Sequence, residues 1–214
     1  MKVIVLDTET TNTIDDPFCY DIGWAVVDPD TGEIEKTESY VVAEIFLDSS
    51  LMHEAYFAEK IPQYWDEIKS GDRKLARLNT IRKSLKADCD AYGISEIYAH
   101  NARFDYRSCS LTQRLLTSSK YRYFFPYGVE ICDTLKMARE ALGADETYRT
   151  FCEENEYKTS RGQLRFTAEI IYRFLTGQND FCEAHTGLED VLIEKEILVA
   201  CRNRGVKNGA LWED

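Results

Sequence analysis

The chain has 214 residues, 44% of them hydrophobic and 30% charged, with a formal net charge of -12. This is ordinary globular composition, long enough for one domain (1–214) with a substantial core, and it argues against a low-complexity chain and against coating nucleic acid through a broad basic surface. No stretch approaches membrane-spanning length, the apolar run after Lys2 is too short for a signal peptide, and the seven scattered cysteines form no C-x-x-C pair, so a soluble cytoplasmic protein with reduced thiols is expected, with no membrane partner and no structural zinc.

The first predicted element is Val3-Ile-Val-Leu6, an apolar run rich in β-branched residues that reads as a strand buried on both faces and central in a sheet. It ends in Asp7-Thr8-Glu9-Thr10-Thr11. Strand alternation puts Asp7 and Glu9 on one side, where two anions repel unless a proton or a cation lies between them. Mg²⁺ or Mn²⁺, which prefer carboxylate oxygen, would satisfy the pair. Taken alone, D-x-E is more simply a strand running into a polar turn.

Residues 12–19 read as a polar loop and 20–27 as a second strand. Asp28-Pro-Asp-Thr-Gly32 is a turn, and 33–42 a third strand, completing an antiparallel meander. Asp48 is placed to cap a helix carrying Leu51, Ala55 and Phe57, interrupted at Pro62. A helix is then expected from about Asp72 to Ala91, closed by Gly93. Between Lys69 and Lys86 stand seven basic residues and one acid, Asp72; the spacing of Leu75, Leu78, Ile81 and Leu85 buries one stripe and leaves Arg73, Arg77 and Lys83 outside. That outer face is either solvated or a phosphate contact.

Residues 94–100 form a short strand, and Asn101 is the expected N-cap of a helix with Asp105 in its first turns. In the aromatic stretch 121–127, Tyr121, Tyr123, Phe124 and Tyr127 suit either base stacking or the core. A strand at 128–132 leads to Asp133, read as a helix cap rather than a ligand. Helical patterns follow at 147–156, 163–175 and 187–204. In the last, Thr186 and Glu189 form a capping-box pattern, which makes Thr186 the N-cap, places Asp190 one turn into the helix and leaves His185 just outside it.

Together, D-T-E-T-T at 7–11, H-N-A-R-F-D at 100–105 and H-T-G-L-E-D at 185–190 resemble the three exonuclease motifs of the DnaQ-like superfamily, in its histidine-type DEDDh branch. The motif order, the opening meander and Cys132-Asp-Thr-Leu135 before a helix all fit, so the resemblance spans nearly the whole chain. It implies an α/β, ribonuclease H-like fold: a mixed five-stranded sheet, an antiparallel meander then parallel strands, with helices on both faces. It also implies a 3′-5′ exonuclease that releases 5′-mononucleotides, preferentially from single-stranded DNA, with an exoribonuclease like ribonuclease T or oligoribonuclease as the alternative and a non-catalytic module on the same fold behind both. Asp7, Glu9, Asp105 and Asp190 would hold two divalent ions, Mg²⁺ or Mn²⁺, and His185 would be the general base, its reference pKa of about 6.5 letting the neutral form accept a proton near neutral pH. Thr8, Thr10, Asn101 and Phe104 are the implied substrate contacts. The chain departs from the family pattern at Asn12, where glycine is common, and at Gly187, where alanine is usual. The interval from Asp105 to Asp190 is long for a minimal member and carries Arg149, Arg161 and Arg165, and the short stretch after Asp190 suggests no polymerase-tethering tail.

Overall fold

The computed structural model describes residues 1–11, 16–118, 120 and 122–212; Asn12 and Tyr121 lie outside them. The described chain runs β1 (Val3–Thr11), β2 (Phe18–Val27), β3 (Ile34–Val42), α1 (Ala43–Phe46), α2 (Ser49–Met52), a 3₁₀ turn (Ala58–Lys60), α3 (Ile61–Ser70), β4 (Lys74–Ala76), α4 (Leu78–Tyr92), β5 (Glu96–Ala99), α5 (Ala102–Leu116), β6 (Glu130–Asp133), α6 (Thr134–Leu142), α7 (Glu146–Glu154), α8 (Ala168–Thr176) and α9 (Gly187–Asn203). The strands form one mixed sheet in the order β4-β3-β2-β1-β5-β6. β1, β2 and β3 pair antiparallel, as the meander predicts, while β5 and β6 continue from β1 in parallel.

β1 is buried on both faces because its alternate side chains enter two different cores. Ile4 and Leu6 pack with Ile81, Leu85 and Cys109 of α4 and α5, whereas Val3 and Val5 pack with Met137, Ile171, Ile197 and Leu198 of α6, α8 and α9. Helices therefore cover both faces of the sheet. The turn at 28–32 closes as expected: Asp28 Oδ1 accepts from the Asp30 and Thr31 amides, and Gly32 takes φ +76°, a region that favours glycine.

Three expectations are corrected. The sheet has six strands rather than five, because Lys74–Ala76 pairs in parallel with Tyr40–Val42. The open edge of β3 offers unpaired backbone groups, and satisfying them outweighs the helical pattern read through residues 72–76. α4 consequently starts at Leu78, and Arg73 is 3% exposed instead of facing solvent. The helix capped by Asp48 ends at Met52, leaving Ala55 and Phe57 beyond it; Ala55 bridges to Thr11. The pattern at 163–175 becomes helical only from Ala168, since residues 158–164 form a small hairpin turning at Gly162. The seven cysteines are all free thiols, Cys182 exposed and the other six buried. Among the described residues no helix is long and apolar enough to cross a membrane.

Candidate active site

The C-terminal end of β1 is the floor of the site, and its neighbours dictate how α9 approaches it. In the β1–β2 ladder Asp7 faces Gly23 and Glu9 faces Asp21. A Cβ on Gly23 would stand 2.3 Å from the Leu188 nitrogen, and one on Gly187 would stand 2.8 Å from the Gly23 nitrogen and 3.2 Å from the Asp7 carbonyl oxygen. The first turn of α9 thus lies directly on the sheet backbone, which explains why glycine occupies position 187.

A buried polar network pins that contact. Asp21, an acid in the interior of an otherwise apolar strand, accepts from the Gly187 amide and from the Tyr64 hydroxyl, both at 2.8 Å, and from Arg73 Nη1 at 2.6 Å. Arg73 also donates to Glu67 at 2.7 Å and to Glu189 at 3.1 Å. Thr186 is the N-cap, but its hydroxyl donates to Glu189 and makes no bond to the helix backbone, while Asp21 accepts from the first free amide, that of Gly187. His185 and Asp190, on either side of that anchored turn, are held over the end of β1.

Glu9, His185 and Asp190 each present a ligand atom, and the three atoms lie within 4.8 Å of one another. Asp190 Oδ1 is buried and has no hydrogen-bond partner. From the other face of the sheet, α5 brings in Asp105, whose Oδ1 accepts from the Thr8 hydroxyl at 2.8 Å. Burial, reinforced by neighbouring carboxylates, pushes Asp7 well up and Glu9 to about 9. Burial likewise lifts Asp105 and Asp190 to about 7. These acids face too little positive charge, Lys60 being the cation that opposes the shift at Glu9 and Asp190. An orphaned carboxylate oxygen among mutually repelling acids is the setting a hard divalent cation fits. Among the described residues the ligand atoms that converge are those of Glu9, His185 and Asp190; Asp7 and Asp105 stand beside this group without belonging to it, close enough for their carboxylates to act on one another.

His185 adopts a left-handed backbone (φ 50°) and stacks on Phe57, ring centroids 4.3 Å apart and planes 11° from parallel. Burial, then Lys60, lowers its pKa, so the imidazole is neutral near pH 7 and able to accept a proton. Its Nδ1 lies 3.9 Å from Glu183, a carboxyl that burial lifts to about 7.

The floor opens into a cleft of about 1420 Å³ lined by Asp7, Glu9, His185, Asp190 and Asn101 among others. Asn101 is the N-cap of α5 in a left-handed conformation (φ 68°), its side chain making no cap bond, while Asp133 caps α6 as expected and also accepts from the Asn101 amide at 2.9 Å. Thr8, Thr10 and Phe104 do not line the cleft, and the Thr8 hydroxyl is spent on Asp105. Of the aromatic stretch, Phe124 is buried in the core while Tyr123 and Tyr127 are exposed. The basic stretch 69–86 also stays out of the cleft, and Lys69, Arg73, Lys74 and Lys86 are paired with carboxylates.

Sequence reading missed Glu194, Glu183, Phe57 and Lys60. Glu194 is 3% exposed, accepts from the His100 amide and lies in the field of Asp105 and Asp190. Its signal was available: an acid four residues after Asp190, inside the apolar stripe of Val191, Ile193 and Ile197. Phe57 and Lys60 carried no such signal, because only the tertiary fold brings residues 57–60 against His185.

No family model matches the sequence, and no curated protein matches it. Solved structures do. The nuclease domain of 3′hExo, described as a DEDDh family member bound to rAMP, superposes with a TM-score of 0.68 at 12% identity over 100% of this chain and 97% of its own. Exonuclease X in complex with 5′-overhanging duplex DNA matches at 0.50 and 16% identity over 97% and 95%. E. coli exonuclease I in complex with a dA16 oligonucleotide matches at 0.54 and 15%, over 94% of this chain and 41% of its own. The chain therefore has the ribonuclease H-like fold of the DEDDh 3′-exonucleases.

Proposed function

We propose that residues 1–214 form one exonuclease domain of the DnaQ-like, DEDDh type that removes 5′-mononucleotides from 3′ ends, with single-stranded DNA as its preferred substrate and RNA as the alternative. The observation that carries this reading is the convergence of Glu9, His185 and Asp190 to within 4.8 Å beside Asp7 and Asp105, at the C-terminal ends of the parallel strands β1 and β5. Two divalent cations bound there would supply charge neutralisation for the attacking and leaving oxygens of a phosphodiester. The protein's own part is to hold four carboxylates at fixed positions, to orient Asp105 through Thr8, and to take a proton from the attacking water on His185, whose neutral form is the one that burial favours. The water oxygen forms the new P–O bond, the bond from that phosphorus to the 3′ oxygen of the penultimate nucleotide breaks, that oxygen leaves and is protonated to a 3′-hydroxyl, and the terminal nucleotide is released as a 5′-monophosphate.

Single-stranded DNA and RNA oligonucleotides of matched sequence and labelled at the 5′ end, incubated with Mg²⁺ or Mn²⁺, test the proposal. Stepwise shortening from the 3′ end is expected, faster on DNA, with Asp7→Asn and Asp190→Asn variants inactive. Faster loss of RNA would reverse the substrate preference. Activity that survives both substitutions, or an active-site-dependent cut in circular DNA, would overturn the reading.

A further inference from the structure

The cleft is electrostatically divided. Its lining acids Asp7, Glu9, Glu183, Asp190 and Glu194 come from β1 and from the approach to and start of α9, whereas Arg139, Arg149, Lys158 and Arg165, with one acid, Glu153, come from α6, α7 and the 158–164 hairpin with its return strand. In a chain of net charge -12, which repels a polyanion as a whole, four cations against one acid in the 139–165 part of the cleft lining form a local exception. Their volume partner is equally telling: about 1420 Å³ exceeds the roughly 300–1,000 Å³ typical of a single small-ligand site. An exonuclease that cleaves the last bond needs only one nucleotide on the 3′ side, so the surplus space belongs to the 5′ side of the strand.

The wall is built rather than incidental. The hairpin closes through Thr159 N–H to the Gln163 carbonyl and Gly162 N–H to the Thr159 carbonyl, both 2.8 Å. The Tyr148 hydroxyl holds the Arg165 carbonyl at 2.5 Å, and Tyr148 packs on Phe166 and Phe174 at 5.2 and 5.0 Å. The guanidinium groups keep donors to spare: Arg165 spends Nε on the Lys158 carbonyl, and Arg149 meets Glu146 only at 3.8 Å, across two exposed side chains, while Lys158 is paired with Glu153 at 3.0 Å and is the weakest member of the set. We propose that Arg139, Arg149, Lys158 and Arg165 form a track that binds the sugar-phosphate backbone on the 5′ side of the scissile bond. This inference rests on the exonuclease reading above.

Fluorescein-labelled dT12 binding, followed by anisotropy in Ca²⁺ buffer over a salt series, tests it with the full chain. The Arg149→Ala/Arg165→Ala pair should weaken dT12 at least tenfold and flatten the slope of log affinity against log salt by about 1.4, roughly 0.7 per lost phosphate contact on a single strand. Its melting temperature should stay within about 2 °C of wild type, since both residues are exposed; if it does not fold, Arg139→Gln/Lys158→Gln is the second pair. Arg77→Ala/Lys83→Ala removes the same charge outside the cleft and should bind dT12 as wild type does. Wild-type hydrolysis of the p-nitrophenyl ester of thymidine 5′-monophosphate reads the catalytic centre without a strand. Ester hydrolysis with unchanged dT12 binding by the wall variants, or equal weakening by the Arg77/Lys83 pair, would overturn the track and leave the exonuclease reading standing. An ester left intact by wild type would overturn both.

Discussion

Arg73→Met tests whether the network under α9 is what holds the site together. Arg73 is buried over the Tyr64 ring, 4.7 Å from its centroid, and its strongest partner, Asp21, is 0% exposed. Removing the guanidinium leaves Asp21 with hydrogen bonds from Tyr64 and Gly187 but without an opposite charge. Breaking a buried pair from one side costs about 3–5 kcal/mol. The contacts to Glu67 and Glu189, whose side chains are 21% and 43% exposed, add little to that. In a chain of this size the loss corresponds to a fall in Tm of about 6–20 °C. Burial already pushes the Asp21 carboxyl up against the pull of Arg73, so in the variant it rises further. A carboxyl raised above its unfolded value loses stability as pH climbs through the folded pKa, so the deficit should be larger at pH 8 than at pH 5. Thermal melts at both pH values measure this, and Arg73→Met/Asp21→Asn should recover more than half of the loss. A fall under about 2 °C at pH 8, or a double variant no better than the single, would refute the argument.

Other outcomes follow from the same geometry. In chelator, Glu9 raised to about 9 and Asp105, Asp190 and Glu183 raised to about 7 all stand above their ordinary values, so the stability these four contribute is greatest below about pH 4 and is lost as pH rises from there to about 9. Excess Mn²⁺ should therefore raise Tm more at pH 8.5 than at pH 6; equal increments would show that these acids do not share the site. Phe57→Ala removes the ring that His185 stacks on and should lower kcat about 10- to 100-fold with KM little changed, as expected for a misplaced base; steady-state kinetics giving a kcat within twofold would exclude a positioning role. Gly23→Ala places a methyl 2.3 Å from the Leu188 backbone and should cost at least about 1–3 kcal/mol in urea unfolding while displacing Asp190. Wild-type stability with wild-type activity would mean that α9 does not rest on β2 there.

The positions of the candidate acids on their elements were legible in the residues because local rules govern them, while their joint role was implied only by the resemblance of three motifs in order. The alternation of a strand puts Asp7 and Glu9 together, and helix starts locate Asp105 and Asp190, whatever the rest of the chain does. Residues 72–76 were misread for the opposite reason: their local pattern is helical, and only the free edge of β3 makes them a strand. The basic stretch, left open between a solvated face and a phosphate contact, also depended on the tertiary structure. Its charge is visible in sequence, but Arg73, Lys74 and Lys86 are consumed by carboxylates, two of them 36 to 52 residues distant, whereas the cleft draws its cations from residues 139–165, scattered among acids.

By itself, then, the sequence determined the opening meander, the two faces that β1 buries and where the candidate acids stand on their elements, because each depends on periodicity or on capping within a few residues; the parallel strands and the roles of the acids and His185 were implied by the resemblance of the three motifs. The tertiary structure decided what surrounds them. Phe57 meets His185 across 128 positions, and Asp21 reaches Gly187 across 166. No local pattern encodes such contacts; they exist only where packing of the sheet and helices brings those backbones together.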